Sequence, residues 1–364
     1  MHNRLNERVG KNTYRTLRPE NKQIDFCSND YLGFARSAEL KKAIKRECSA
    51  NKALNGATGS RLISGNLRYT EAVEEQLAQW FSAEASLLFN SGYDANVGLL
   101  SSLPQRGDTI ICDELIHASA IDGARLSYAN RFTFKHNDVE SLEGKLKNAK
   151  GVCYVVIESI YSMDGDTPPL LDVVEMIEKY NAHLIVDEAH AFGLYKKGLV
   201  SELNLQNRVF ARVVTFGKAL GCHGAAVIGS AVLRDYLINF ARSFIYTTAA
   251  PFHQVAGIKA ALELLDKSDD IVERLRQNIA LFKSLCLPQV LQAMPISSSA
   301  IHCVVLSSAL KAATMAAVLQ NNRFDVRAIM SPTVAEGSER LRICLHAFNT
   351  EKQISKLTQI INPL

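Results

Sequence analysis

Seven short apolar runs between Ser86 and Ile228 constrain this chain more than any other feature of its sequence. They are Ser86–Phe89, Thr109–Cys112, Phe132–Lys135, Val152–Ile157, His183–Val186, Arg212–Phe216 and Ala225–Ile228. Helical patterns separate many of them, among them Asn96–Leu103, Ile116–Leu126 and Val173–Tyr180, and Glu71–Phe81 precedes them with apolar residues at helical spacing. Strands that alternate with helices predict an α/β fold with a mostly parallel, seven-stranded sheet covered on both faces. In such sheets the binding residues gather in loops beyond the carboxyl ends of the strands. Around Asp266–Asp270 the pattern changes. A long helix to about Cys286 is followed by strands at Ala300–Leu306, Arg323–Ile329 and Arg340–Leu345, with helices at Ala309–Asn321 and Glu351–Ile361. The expected organisation is an N-terminal arm (1–36), a large domain (37–265) and a smaller α+β domain (266–364).

Composition removes several classes of function. Of 364 residues 47% are hydrophobic, net charge is only +4, and no five basic residues follow one another. This argues against nucleic-acid binding and against a polybasic membrane patch. Met1–Gly10 lacks the apolar core of a signal peptide and no stretch of eighteen apolar residues occurs, so a cytoplasmic location is expected. The eight cysteines are scattered without a CxxC pair, which predicts reduced thiols and no metal site.

The common signatures of α/β enzymes are missing. No two glycines are separated by one residue, so the GxGxxG dinucleotide fingerprint is absent. Around Lys218, Arg212 and Ala219 stand where a P-loop needs Gly and Ser or Thr. GxSxG is absent too. Instead, polar residues follow several strands. Ser91-Gly92-Tyr93 opens a helix, where free N–H groups suit an anion, though an ordinary strand-to-helix turn reads the same way. His117 is either a helix cap or a site residue. Ser162 lies among the turn residues of "ESIYSMDGDTPP". Asp187, Glu188 and His190 follow an apolar run in "HLIVDEAHAFG", which suits either a carboxylate for a cationic ring nitrogen or an internal salt bridge. Lys218 interrupts "TFGKALG" between two apolar runs. An amine in an apolar cleft is a nucleophile for carbonyls. Lysine, carboxylate, a histidine able to stack and an anion cradle are together the parts that hold pyridoxal 5′-phosphate (PLP). Arg342 is either a surface arginine or a clamp for a carboxylate.

From "FCSNDYLGFA" to "ERLRICLHAFNT" the chain resembles the α-oxoamine synthases, fold-type-I PLP enzymes. "GATGSRLISGN", "LFNSGYDAN", "LIHAS", "YSMDGD", "VDEAHAFG", "TFGKALG", "FIYTTAAP" and "SPTVAEGSERLRI" carry the likeness in order. The resemblance implies a homodimer with shared active sites. It implies that Lys218 holds PLP and later moves protons, that Asp187 meets the ring nitrogen, that His117 stacks on the ring, and that Ser162 and His190 touch its phenolic oxygen. Ser91, Gly92, Tyr93 and Thr215 would line the phosphate and ring pocket, and Thr247 or Thr248 would reach in from the neighbouring subunit. Arg342 would bind an amino-acid carboxylate, with Asn29 and Thr333 on the substrate side. The implied activity is decarboxylating condensation of L-alanine with a pimeloyl thioester of CoA or of a carrier protein. Family members that use glycine or serine with other acyl-CoAs remain alternatives, as does an inactive homologue serving as a binding subunit. The arm arginines Arg4, Arg8, Arg15 and Arg18 carry no assignment.

Overall fold

A computed structural model describes residues 1–10, 13–17, 19 and 22–364, so Arg18 lies outside the described residues. Two compact units are present: 32–161 with 167–272, and 1–31 with 162–166 and 273–364. The strands are numbered β1 to β12 along the chain.

The larger unit is built on β2 (Ala85–Phe89), β3 (Thr109–Asp113), β4 (Asn130–Phe134), β5 (Cys153–Glu158), β6 (His183–Asp187), β7 (Ala211–Thr215) and β8 (Ala225–Gly229). They form one sheet in the order β2-β8-β7-β6-β5-β3-β4. Only β8 runs against its neighbours. The unit is thus the α/β layer structure expected from the alternation of runs. Successive residues of a strand face opposite sides. Ile110, Cys112, Val156, Ile185 and Val213 pack under Leu99, Leu100, Ala120 and Ala124, while Ile111, Val155, Ile157 and Val186 meet Leu142, Val173, Val174 and Ile177. Burial on both faces is why these strands read as unbroken apolar runs rather than alternating ones.

Helix starts differ from the apolar pattern where a cap decides them. The helix whose apolar pattern runs from Asn96 begins earlier, at Gly92, where Ser91-Gly92-Tyr93 predicts a helix start, and Ser91 caps it by accepting from the Asp94 N–H. The helix expected from Ile116 begins at Ala118, with the His117 ring accepting from the Ser119 N–H. β4 begins at Asn130 rather than Phe132 because backbone pairing with β3, not apolar content, sets the extent of this mostly exposed edge strand.

Polar residues end the parallel strands on one edge: Asp113, Glu158, Asp187 and Thr215 close β3, β5, β6 and β7. The turn from β7 to β8 is tight. The Cys222 N–H donates to the Phe216 carbonyl at 2.7 Å and the Gly221 N–H to the Lys218 carbonyl at 2.9 Å. Gly221 has φ 60°, and a Cβ there would lie 2.0 Å from the Ala35 nitrogen, so only glycine closes this turn.

The smaller unit pairs β9 (Ile301–Val305) and β11 (Arg327–Ile329) antiparallel to β12 (Arg340–Cys344). β1 (Ile24–Asp25) runs parallel to β10 (Phe324–Asp325). The single strand expected over Arg323–Ile329 is therefore two, divided at Val326, because its halves pair in different sheets. His302 on β9 is buried against Phe282, ring centroids 5.1 Å apart. Burial, reinforced by the Lys283 charge, lowers its pKa to about 4.

In the unfolded chain His302 accepts a proton near pH 6.5, whereas folded His302 resists it down to about 4. Between these values the unfolded state binds more protons, so stability present above 6.5 is lost as pH falls toward 4. The melting temperature should decline across this window. His302→Leu should flatten the decline, which melting curves at pH 7, 6, 5 and 4 would measure; an equally steep fall in the variant would exclude His302 as its source.

Candidate active site

The larger unit brings seven of the expected residues, Ser91, Gly92, His117, Asp187, His190, Thr215 and Lys218, to the carboxyl edge of its sheet. Asp187 is 7% exposed at the end of β6. Its Oδ1 accepts from the Ala189 N–H at 2.9 Å and its Oδ2 from Asn96 Nδ2 at 2.7 Å. Asn96 Nδ2 also lies 3.0 Å from Ser119 Oγ, which is 2.7 Å from His117 Nδ1. Burial lowers the His117 pKa; the Asp187 charge opposes this and the Lys218 charge adds to it. The ring is therefore neutral at pH 7, and both catalytic candidates lie within its electrostatic reach. Beyond β7, half-buried Lys218 places Nζ 2.7 Å from His190 Nε2. Thr215 faces the start of the Gly92–Ser102 helix: a Cβ on Gly92 would meet its Cβ at 3.8 Å.

The ion pair considered for "VDEAH" belongs to Glu188, not Asp187. Glu188 Oε2 lies 3.9 Å from Arg212 Nη1, and its Oε1 accepts from the Val200 N–H. Burial pushes Glu188 up to about 7, against the pull of Arg212. Arg212, which reads in the sequence as the start of an apolar run, is 2% exposed, lies over the Phe81 ring and donates to Ser201 and to the Phe81 carbonyl. Asp187 is thereby left with two neutral donors, the Ala189 N–H and the Asn96 amide.

Other expected residues sit differently. The Tyr93 side chain is 46% exposed and its hydroxyl donates to Asp122. Asn90 Nδ2 donates to Thr247 Oγ1 at 3.1 Å and to the Thr248 carbonyl at 2.9 Å, fastening that segment beside Ser91. In the smaller unit, Arg342 donates from Nε to the Ser162 carbonyl at 2.7 Å, from Nη2 to Asn29 Oδ1 at 3.0 Å and from Nη1 to Cys344 Sγ at 3.0 Å. Thr333 Oγ1 accepts from Arg15 Nη2 at 3.0 Å, in a cleft of about 740 Å³ between the arm residues Thr13–Leu17 and β11.

The larger unit's residues fit PLP. A helix N-terminus with Thr215 suits a phosphate, a buried carboxylate suits a protonated ring nitrogen, and a lysine amine suits an aldehyde. Asn96 Oδ1 is buried without a partner while both amide protons are spent on Asp187 and Ser119. The amide is thus oriented for the carboxylate at the expense of its own carbonyl. Residues 21–361 match the family model for aminotransferase class I and II. The chain belongs to the aminotransferase class I and II family. Among members of that family, the 8-amino-7-oxononanoate synthase of Emericella nidulans is 41% identical over 366 residues, spanning 93% of this chain and 88% of that protein. A structure of 8-amino-7-oxononanoate synthase from Francisella tularensis superposes with TM-score 0.81 at 30% identity, covering 94% of this chain and 98% of that one. A structure of SPT, serine palmitoyltransferase, with PLP gives TM-score 0.87 at 27% identity, covering 94% and 87%. The fold is that of fold-type-I PLP transferases, and the cofactor is PLP.

Sequence reasoning missed Asn96, Ser119 and the Glu188–Arg212 pair. A signal for Asn96 exists: it lies on the helical stripe that continues through Leu99 and Leu100, an amide at a core position. Borohydride treatment of the PLP-loaded protein should fix the cofactor to Lys218, seen as a mass increase on the peptide containing it. Lys218→Ala should lose the label and about 10²–10⁴-fold in turnover; a label on another lysine would remove Lys218 from this role.

Proposed function

We propose that the chain catalyses the reaction named in its relatives, formation of 8-amino-7-oxononanoate in biotin biosynthesis. L-alanine is joined to a pimeloyl thioester of CoA or a carrier protein. A C–C bond forms between the alanine α-carbon and the thioester carbonyl, the C–S bond breaks, the thiol departs, and the alanine carboxylate leaves as CO2. The observation that carries this reading is the convergence of Lys218, His190, His117 and Asp187 in a chain 41% identical to such a synthase over nearly its full length.

Bound PLP supplies an electron sink for the carbanion at the amino acid's α-carbon. The protein's residues do the remainder. Asp187, with both oxygens hydrogen-bonded, is the anion for the ring nitrogen, and neutral His117 offers a ring face without a competing charge. Ser91, Gly92 and Thr215 receive the phosphate. Lys218 Nζ takes the α-proton and returns one, with His190 Nε2 at hydrogen-bond distance to hold the amine in place.

The substrate assignments rest on charge. Arg342 is 8% exposed, and among the described residues its hydrogen-bond partners are a carbonyl, an amide, a thiol and the Tyr31 hydroxyl, never a carboxylate. A buried guanidinium without an anion favours one from the substrate, and we assign it the alanine carboxylate, with Asn29 orienting it. The distal carboxylate of a pimeloyl chain also calls for a cation. Arg15 answers that need in the arm-lined cleft, where it holds Thr333 and pairs with no carboxylate among the described residues. Homodimer formation, with Thr247 and Thr248 serving the partner's site, is supported by exposed Ile63 (85%) and Tyr246 (72%) on the tethered segments around them.

A panel of amino acids against acyl thioesters, followed by thiol release, tests the reading. Alanine with pimeloyl-CoA or the pimeloyl carrier protein should win; a clear preference for glycine or serine with another acyl group would overturn the substrate assignment. Arg342→Ala should raise the KM for alanine at least tenfold. Arg15→Ala should raise KM for the pimeloyl thioester and leave that for alanine unchanged. Equal effects on both substrates would remove the division of labour between the two arginines.

A further inference from the structure

Asp187 is held by a residue to which the sequence assigns no role, Asn96, the last residue of "LFNSGYDAN". Asn96 is 2% exposed, and its one nitrogen serves two acceptors, Asp187 Oδ2 at 2.7 Å and Ser119 Oγ at 3.0 Å. The amide cannot turn over, since its oxygen would then face the carboxylate. Its carbonyl stays without a partner, a cost that buried polar groups rarely bear.

The second donation has a consequence at His117. Ser119 Oγ accepts from Asn96, so its single proton is free for the other neighbour, His117 Nδ1 at 2.7 Å. The Ser119 N–H also points at Nδ1, at 3.2 Å. With two donors aimed at Nδ1, the proton of the neutral imidazole sits on Nε2. One amide therefore governs two groups: it holds the carboxylate in place and, through a serine hydroxyl, selects the tautomer of the histidine.

We propose that Asn96 is a positioning residue for the PLP site, coupling the orientation of Asp187 to the Nε2–H tautomer of His117 through Ser119. This rests on the reading of Asp187 as partner of the cofactor's ring nitrogen. No element of the inference depends on which amino acid or acyl group is used.

The test uses the full-length protein, stripped of cofactor and titrated with PLP, together with 15N spectra of histidine-labelled protein to report the His117 tautomer. Wild type should show His117 protonated on Nε2. Asn96→Leu, close in volume, should keep the fold by circular dichroism, weaken PLP binding at least tenfold and move the His117 signals toward a mixture of tautomers. Ser119→Ala should shift the tautomer with a smaller loss of PLP affinity, since it leaves the Asn96–Asp187 bond intact. A folded Asn96→Leu protein that binds PLP within twofold of wild type would overturn the proposal. Should that variant fail to fold, an unchanged His117 spectrum in Ser119→Ala would overturn it instead. A wild type that binds PLP but fails with alanine and a pimeloyl thioester would remove the substrate assignment and leave this role standing, provided the variants behave as stated.

Discussion

An ionised carboxylate at the end of a strand shielded on both faces costs several kcal/mol unless donors meet it. Asp187 is in that position, and the residues around it are arranged to supply its donors. The Ala189 N–H and the Asn96 amide supply two neutral donors. Arg212, buried on the adjacent strand, lies beside Glu188 instead. Had Arg212 paired with Asp187, the carboxylate would have been neutralised within the protein and of little use to a cationic ring nitrogen. The two adjacent acidic residues thus have opposite fates because successive strand-end side chains diverge, one toward the open edge and one toward the interior.

The same logic explains the histidines and the lysine. His117 caps a helix with Nδ1, which ties its ring to Ser119 and keeps it neutral in a buried setting. Lys218 projects from a turn that only glycine at position 221 closes, and its Nζ lies 2.7 Å from His190 Nε2.

Legibility from sequence tracked the range of the interactions involved. The strands of the large sheet were readable because burial on both faces writes an apolar run into the local sequence, and Lys218, Asp187 and His190 stood out as polar residues terminating such runs. The helix starts at Ser91 and His117 are legible from residue type, whereas the apolar periodicity sets in a few residues away from each, since a cap is a single hydrogen bond that leaves no periodic trace. Asn96 and Ser119 were not readable as a pair: 23 residues separate them, and neither breaks its helix pattern by more than one position. Arg212 was misjudged for a related reason. A guanidinium can lie inside a core when a ring, a hydroxyl and a carbonyl receive it, and those partners come from residues 81 and 201.

The sequence by itself determined the fold class, the edge of the sheet on which chemistry occurs and the cofactor, because these follow from periodicity and from residue types at the ends of runs. Tertiary structure decided which of two neighbouring acids stays free, which tautomer His117 adopts, and that Arg15 holds Thr333 in a cleft. Apart from the local His117–Ser119 contact, these depend on interactions between residues tens to hundreds of positions apart. Such contacts are directional and short-ranged, so only the folded chain brings their partners within reach.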